Sequence, residues 1–452
     1  MTRPHLVRWQ AAAIMTVAAL GVAACSSSSS SSSSSGSGAG SGSSSAALTA
    51  SAPGITATTI TIGSHQPLTG PAAPGYSEIA PASNAYFDYV NAHGGVYGRK
   101  IVYKYIDDGY DPTKTASVVR QLVLQDNVYA VFDGLGTPTH LAAVNFLNAE
   151  KVPDVFVASG CECWNNPATP ETFGWQIDYV REGKILGQYV KQHFAGKKVA
   201  FFYQDDEFGQ DGVKGLDDEL PASMVVSKQS YVDTNVNIAP QVAALRASGA
   251  QVVVSFSIPA FTALLKLDSL KLGFNPTLVV SDVGSDAITL SGLLEAFAKQ
   301  GGAKVNGDQL INGIITDGYL PSTSQPGNSW IQLFTKVKNQ YDPKAPLDGN
   351  VLFGEAVAYT FVQAMLKAGR NPTRADLVSA IEAGLPNGPS VAPYAYSSSN
   401  HAGITGAYMG VITNGQLVQQ GSVLVTDTSA TGAITAYTGA EQQAPASGIP
   451  SP

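Results

Sequence analysis

The chain has 452 residues, of which 44% are hydrophobic and 13% are charged, and this balance is typical of a globular protein rather than a disordered one. The length exceeds what one compact core usually holds, so two α/β domains are predicted. The formal net charge is −8 and the sequence contains no block of basic residues. A nucleic-acid partner is therefore excluded, because neutralising phosphates needs clustered Lys and Arg.

The first 24 residues have the pattern of a secretory signal peptide. Arg3 and Arg8 precede a largely apolar stretch from Trp9 to Ala24, which is short for a bilayer span and ends in small residues. The last step, Val-Ala-Ala-Cys, resembles the bacterial lipobox, and this resemblance implies that Cys25 is acylated and becomes the new amino terminus. An ordinary signal peptide followed by an accidental cysteine is the alternative. No later apolar run is predicted to span a membrane, so the lipid would be the only membrane anchor.

Residues 26–45 consist almost entirely of Ser and Gly. Such a segment buries no apolar surface and behaves as a flexible coil. We predict that residues 25–54 form a tether that holds the folded body away from the membrane, and an inert or cleavable spacer is the alternative.

Two further cysteines, Cys161 and Cys163, lie one residue apart. Export would place them where disulfides persist, so a local bridge and two free thiols are both open. No neighbouring Cys or His completes a tetrahedral zinc site. We predict neither a metal site nor a cofactor.

From Thr59 onward, β-rich runs alternate with helical stretches, which is typical of parallel sheets with crossover helices. Strands are predicted, in chain order, at 59–63, 100–107, 129–133 and 153–158, and in a second series at 198–203, 224–232, 252–257 and 277–281. Helices are predicted at 77–92, from Asp111-Pro112 onward, at 238–247, at 352–368 and from Pro372-Thr373 onward, and a terminal hairpin turns at Asn414-Gly415.

In open parallel sheets, ligands bind at the carboxyl ends of the strands. Small and polar residues collect in four loops at such positions: 64–70, 134–139, 159–160 and 281–284. The loop from Gly134 to Thr139 suits a carboxylate, because small residues expose backbone N–H groups just before a helix. A plain βα turn with Thr137 as the helix N-cap is the alternative.

Patterns of catalytic residues are weak. The six histidines show no HExxH spacing, and the sequence contains no G-x-S-x-G turn. Acidic runs at 107–108 and 205–207 are explained by solvated turns at strand ends. We therefore predict no catalytic residue, and a binding protein is favoured over an enzyme that uses the same cleft.

Taken together, several segments resemble the Leu/Ile/Val-binding proteins of branched-chain amino-acid ABC transporters. The resemblance covers about residues 55–426. Its carriers are the TITIG run at 59–63 with PLTG at 67–70, FDYVNA at 87–92, GRKI at 98–101, DD at 107–108 with DP at 111–112, YQDD at 203–206 with FG at 208–209, and AG at 368–369 with NPTR at 371–374.

This resemblance implies two Rossmann-like lobes, the type I periplasmic binding protein fold, joined by three crossing segments that close as a hinge on a ligand. Lobe 1 would comprise residues 55–178 and about 317–390, and lobe 2 residues 179–316 and about 391–426. A flexible tail would follow at 427–452.

The resemblance also implies the ligand-binding residues. Leu135, Gly136 and Thr137 in one loop, with Ser159 and Gly160 in another, would hold the ligand carboxylate. Asp282 would take the ammonium group, and Phe208 would contact the ligand. The sequence departs from the family because the first loop is not rich in serine and Phe208 lacks a hydroxyl group. Trp164 is expected either to face a bulky ligand or to pack on its own loop.

The implied function is that of an extracytoplasmic, lipid-anchored, monomeric protein that captures a small polar molecule and delivers it to an ABC transporter permease. The ligand would be a branched-chain or other amino acid, or a related amide or carboxylate. A ligand sensor acting on a separate membrane receptor is the alternative.

Overall fold

The computed structural model describes residues 47–451. The predicted signal peptide, the acylated Cys25 and most of the predicted tether lie outside the described residues.

Thirteen strands lie within the described part of the chain. They are β1 (Thr59–Gln66), β2 (Lys100–Asp107), β3 (Val131–Phe132), β4 (Asp154–Val157), β5 (Thr172–Gly174), β6 (Val199–Gln204), β7 (Val225–Tyr231), β8 (Val252–Phe256), β9 (Thr277–Val280), β10 (Ile315–Gly318), β11 (Gly406–Thr413), β12 (Gln416–Val425) and β13 (Thr435–Ala436).

The α-helices of the same region connect and cover these strands. They are α1 (Ala73–Tyr76), α2 (Ile79–Ala92), α3 (Pro112–Leu124), α4 (Thr137–Ala149), α5 (Tyr179–His193), α6 (Glu207–Glu219), α7 (Ala239–Ala247), α8 (Pro259–Lys271), α9 (Ala287–Gln300), α10 (Gly307–Ile311), α11 (Ser329–Tyr341), α12 (Gly349–Ala368) and α13 (Arg374–Glu382), with short 3-10 turns at Glu162–Asn165 and Asp282–Gly284.

The strands form two sheets. The first has the order β2-β1-β3-β4-β5, and all of its pairs are parallel. The second has the order β13-β12-β11-β10-β9-β8-β6-β7. The neighbouring strands in the part β10-β9-β8-β6-β7 pair parallel, whereas those in the part β13-β12-β11-β10 pair antiparallel. The predicted α/β class is confirmed. The lobe boundaries proposed above remain a prediction.

Local sequence signals explain the starts of several helices. The side chain of Asp111 accepts a hydrogen bond from Thr113 N at 2.8 Å, with Pro112 as the first residue of α3. Thr373 and Asp376 form a reciprocal capping box at the start of α13. Strand β3 is shorter than predicted, and Asp133, the residue after its last position, has a left-handed φ of 58°.

Helices α5 and α6 pack through glycines. A Cβ atom added to Gly215 of α6 would lie 2.2 Å from the carbonyl oxygen of Val180 in α5, and one added to Gly183 would lie 2.4 Å from the carbonyl oxygen of Gly212. The two helix backbones therefore approach more closely than any larger residue would permit.

Helix α12 is long and apolar enough, by length and composition, to cross a membrane. However, 89% of its most apolar window is buried inside the protein, where it packs against α2, α11 and α13. It therefore serves as a core helix of the folded body.

The carboxy-terminal segment differs from the predicted flexible tail. Residues 435–436 pair with β12, and the carbonyl groups of later residues accept hydrogen bonds from Tyr86, Tyr89 and Trp330 at 2.7–2.8 Å. The physical reason is that these largely buried O–H and N–H donors need acceptors, and the segment supplies them.

Candidate functional site

A cavity of about 270 Å³ lies where the carboxyl ends of strands from both sheets meet. Residues 135–137 follow β3, Phe208 follows β6 and Asp282 follows β9, and all of them line this cavity. Both sheets thus direct their strand ends, where ligands of open α/β sheets bind, toward one space.

Five of the seven predicted ligand-binding residues line the cavity, namely Leu135, Gly136, Thr137, Phe208 and Asp282, whereas Ser159 and Gly160 do not. Ser159 is buried behind Thr137, and the two hydroxyl oxygens are 2.7 Å apart. Gly160 faces Tyr179 instead, because its carbonyl accepts a hydrogen bond from Tyr179 N at 2.7 Å. Tyr179 itself lines the cavity, whereas the two residues predicted in the second loop do not.

The backbone donors of the first loop are already used within the protein. Leu135 N donates to the carbonyl of His65 at 3.2 Å, and Gly136 N donates to the carbonyl of Ala158 at 3.1 Å. These two amides, which the resemblance gave to a ligand carboxylate, hold the loop against the first sheet instead.

The alternative in which Thr137 caps helix α4 is wrong. The N-cap is Gly136, whose φ of 101° suits glycine, and Thr137 is the first helical residue. The hydroxyl of Thr137 does not cap the helix, and it forms a hydrogen bond with the hydroxyl of Ser159.

The cysteine-containing loop lies beside the cavity but does not line it. Cys161 and Cys163 form a disulfide, and the amide of Glu162 between them donates to Asp211 Oδ2 at 2.7 Å. Trp164 is 1% exposed and its ring centroid lies 5.1 Å from that of His140, edge to face. Trp164 therefore packs within the protein beside its own loop and does not line the cavity.

The start of helix α6 positions Phe208. The side chain of Asp206 caps the helix, accepting a hydrogen bond from Phe208 N at 3.0 Å. The ring of Phe208 then lies 4.6 Å from that of Tyr179, centroid to centroid, at an angle of 53°. Two aromatic rings from consecutive helices thus form one corner of the cavity.

Beside Asp282 lies a first carboxyl cluster, formed by Glu182, Asp282 and Asp317. Asp282 N donates to Glu182 Oε1 at 2.9 Å and to Asp317 Oδ1 at 3.0 Å. Burial and the charge of Glu182 raise the pKa of Asp282 to about 8, and burial raises the pKa of Glu182 to about 7. Burial also raises the pKa of Asp317 well above its usual range. Only Asp282 of the three lines the cavity.

A second carboxyl cluster comprises Glu78, Asp286 and Asp348, of which both aspartates line the cavity. Asp286 Oδ2 accepts a hydrogen bond from Gly349 N at 2.9 Å, and Asp348 Oδ1 accepts one from Val351 N at 2.9 Å. Burial, followed by the charge of Asp286, raises the pKa of Asp348 to about 8. Burial also raises the pKa of Glu78.

Aromatic side chains form much of the remaining wall. Besides Phe208 and Tyr179, they are Tyr76, Tyr110, Tyr319, Phe353 and Tyr408. The hydroxyls of Tyr76 and Tyr408 donate to the backbone carbonyls of Val283 and Leu320, so their rings are held in place. Aromatic rings held in place beside convergent polar groups are typical of small-molecule sites.

Sequence reasoning missed Tyr179, Glu182, Asp317, Tyr319 and Asp348. The strand-end rule could have found Asp317 and Tyr319, because β10 ends beside them. For the other three the sequence holds no comparable signal. Within residues 47–451, no group of three or more His, Cys, Asp or Glu side chains has an arrangement that could hold a metal ion.

We expect the thermal stability of the ligand-free protein to fall as the pH rises from about 5.5 to about 8.5. A carboxyl group whose pKa is raised by folding contributes its full stability below its ordinary pKa and loses it as the pH rises through the folded value, about 8 for Asp348 and Asp282. Asp348→Asn should make this fall smaller, since the amide cannot ionise. Melting temperatures across the pH series measure both effects.

The matched control is Asp217→Asn, which removes an exposed carboxylate of α6 that pairs with Lys228 outside the cavity. This variant should retain the full pH dependence of the wild-type protein. If the melting temperatures of Asp348→Asn and Asp217→Asn changed equally with pH, the pH dependence could not be assigned to the second carboxyl cluster.

The comparison with known sequences identifies a family. The sequence model of a family described as periplasmic binding protein matches residues 59–416. The chain is also 24% identical, over 354 residues, to the Leu/Ile/Val-binding protein homolog 8 of Brucella abortus (strain 2308), covering 74% of this chain and 83% of that protein.

Solved structures share the fold at low sequence identity. One is a branched-chain amino acid ABC transporter protein from Thermus thermophilus with bound valine, with a TM-score of 0.71 and 17% identity over 82% of this chain and 97% of that chain. Another is a fatty acid ABC transporter substrate-binding protein from Thermomonospora curvata, with a TM-score of 0.70 and 21% identity over 82% of this chain and 94% of that chain. Because proteins named for such different ligands share this fold, the fold alone does not identify the ligand of this chain.

Proposed function

The chain belongs to the periplasmic binding proteins of the Leu/Ile/Val-binding type, and we propose that it captures a small polar molecule in the cavity beside Asp282 and delivers it to the permease of an ABC transporter. The observation that supports this most directly is the cavity itself, which joins an aromatic wall to a carboxylate at the strand ends of both sheets. The family implies an extracytoplasmic location. We propose that the protein acts there as a monomer and as a binder, without catalysis.

Contacts across the cavity support a closed, ligand-holding arrangement. Tyr76, which precedes α2, donates to the carbonyl of Val283 after β9 at 2.5 Å. Asn350 of α12 donates to Thr289 of α9 at 3.2 Å. We propose that these contacts open and re-form as the elements around the two sheets move about a hinge.

The test is isothermal titration calorimetry and thermal shift of the purified protein with amino acids, amides, urea, short acids and aromatic acids. A ligand that binds only the folded state must raise the melting temperature by mass action. One saturable ligand that is recovered chemically unchanged would support the proposal. Consumption of the compound would instead indicate an enzyme.

We further propose that an acyl chain on Cys25 anchors the protein to the outer face of the cytoplasmic membrane. Cys25→Ser is expected to move the protein from the membrane fraction to the soluble exported fraction, because no acyl chain can then be attached. Immunoblots of the two fractions measure the shift. Cys161→Ser, which leaves Cys25 in place, is the control and should remain in the membrane fraction. Retention of Cys25→Ser on the membrane would contradict lipid anchoring.

A further inference from the structure

The ionisable residues that line the cavity all carry the same sign. They are Asp282, Asp286 and Asp348, and within the described part of the chain no Lys, Arg or His joins them. Glu182 and Asp317 stand beside Asp282, and Glu78 stands beside Asp348. The ionised form of such a buried set of acids is unfavourable in the empty protein, and an incoming cation would stabilise that form.

The basic side chains closest in sequence to Glu182 do not neutralise this set. Arg181 contacts Asp178 and donates to the carbonyl of Thr426 at 2.9 Å. Lys184 donates to three carbonyls of the carboxy-terminal segment at 2.7–3.0 Å. Both cations are thus committed to other partners, so they do not offset the charge of the first carboxyl cluster when its members are ionised.

The α-carboxylate of an amino acid would find few free hydrogen-bond donors in this cavity. The amides of Leu135 and Gly136 donate within the protein, and the hydroxyl of Thr137 pairs with Ser159. The two amides are therefore unavailable unless these bonds break, and a ligand carboxylate would also meet Asp282, Asp286 and Asp348, which repel it when they are ionised. The aromatic rings, by contrast, attract cations through their faces.

Because the charged side chains that line the cavity are all acidic, we propose that the ligand is an organic cation that carries an ammonium or amidinium group and no carboxylate. This inference rests on the proposed function and narrows the ligand class within it. The first carboxyl cluster takes the cationic group, the rings of Tyr179 and Phe208 enclose the adjoining carbons, and the second carboxyl cluster accepts a further cationic group where the ligand has one.

The test uses ligand pairs that differ only by the α-carboxylate: leucine with isoamylamine, and lysine with cadaverine. Calorimetric titration of the purified protein should show the amine of each pair binding tighter than its amino acid by about tenfold or more. Equal or tighter binding of the amino acids would overturn the inference and leave the proposed function standing. If none of the four compounds binds, this ligand class fails, and so does the amino-acid ligand that the sequence resemblance implies.

Variants separate the contribution of the second carboxyl cluster. Cadaverine carries two ammonium groups and isoamylamine carries one. Asp348→Asn should therefore weaken the binding of cadaverine by about fivefold or more relative to the binding of isoamylamine. Asp217→Asn, an exposed acid outside the cavity, should change neither affinity. An equal effect of Asp348→Asn and Asp217→Asn on cadaverine would overturn the assignment of a second cationic position.

Discussion

Replacing Asp282 by asparagine is expected to weaken ligand binding by about 30–100-fold, which corresponds to about 2–3 kcal/mol. Asp282 is the member of the first carboxyl cluster that lines the cavity. Asparagine keeps the size of the side chain but removes the charge that an ammonium group would face. Calorimetric titration of wild-type and variant protein with the ligand found in the screen measures the change.

The same variant should not destabilise the ligand-free protein. Burial and the charge of Glu182 raise the pKa of Asp282 to about 8, so its ionised form is unfavourable in the empty cavity. At about pH 8.5 the variant should therefore melt at or above the wild-type temperature. Two outcomes would contradict the role of Asp282 in binding. One is an Asp282→Asn variant that binds the ligand with wild-type affinity. The other is a variant that binds weakly only because it is less stable, as a lowered melting temperature would show.

Gly215→Ala is expected to destabilise the protein by about 3 kcal/mol. The added methyl group would lie 2.2 Å from the carbonyl oxygen of Val180 and 2.8 Å from Lys184 N, both of them backbone atoms of α5. The helix backbones must separate to admit it. Because α5 also carries Tyr179 and Glu182, ligand affinity should fall as well. Urea denaturation and ligand titration measure the two effects.

Gly292→Ala provides the matched control. Gly292 lies within helix α9, is exposed, and has no atom within 4 Å of an added Cβ among the described residues. Alanine favours the helix by about 0.5–1 kcal/mol over glycine, so this variant should be slightly more stable than the wild type. Equal stability of the two variants would show that the contact between α5 and α6 tolerates a methyl group.

The binding function and these stability effects share one structural element. Helix α5 begins at Tyr179 directly after its cap Asp178, whose side chain accepts a hydrogen bond from Arg181 N at 3.0 Å. Its first turn therefore delivers Tyr179 to the cavity and Glu182 to the first carboxyl cluster, while its glycines allow α6 to deliver Phe208. Changes at the helix contact should for this reason alter the site without touching the ligand.

Short-range sequence patterns were enough to predict the local structure and the class of fold. The alternation of apolar strands and helices predicted parallel sheets, and the caps at Asp111 and Thr373 placed the starts of two helices, because these signals depend on residues only a few positions apart. The strand-end rule, together with the family resemblance, also selected Leu135, Phe208 and Asp282, which line one cavity.

The electrostatic character of that cavity, in contrast, depends on how the folded chain brings distant residues together. Glu182, Asp282 and Asp317 come from separate segments, as do Glu78 and Asp348, and no local pattern links them. Likewise, whether the amides of Leu135 and Gly136 are available depends on carbonyls supplied by other strand ends. The charge of a site, the burial of its residues and the hydrogen-bond partners available to them all depend on residues that are distant in sequence. They are therefore set by the packing of the whole chain and not by any one segment of it.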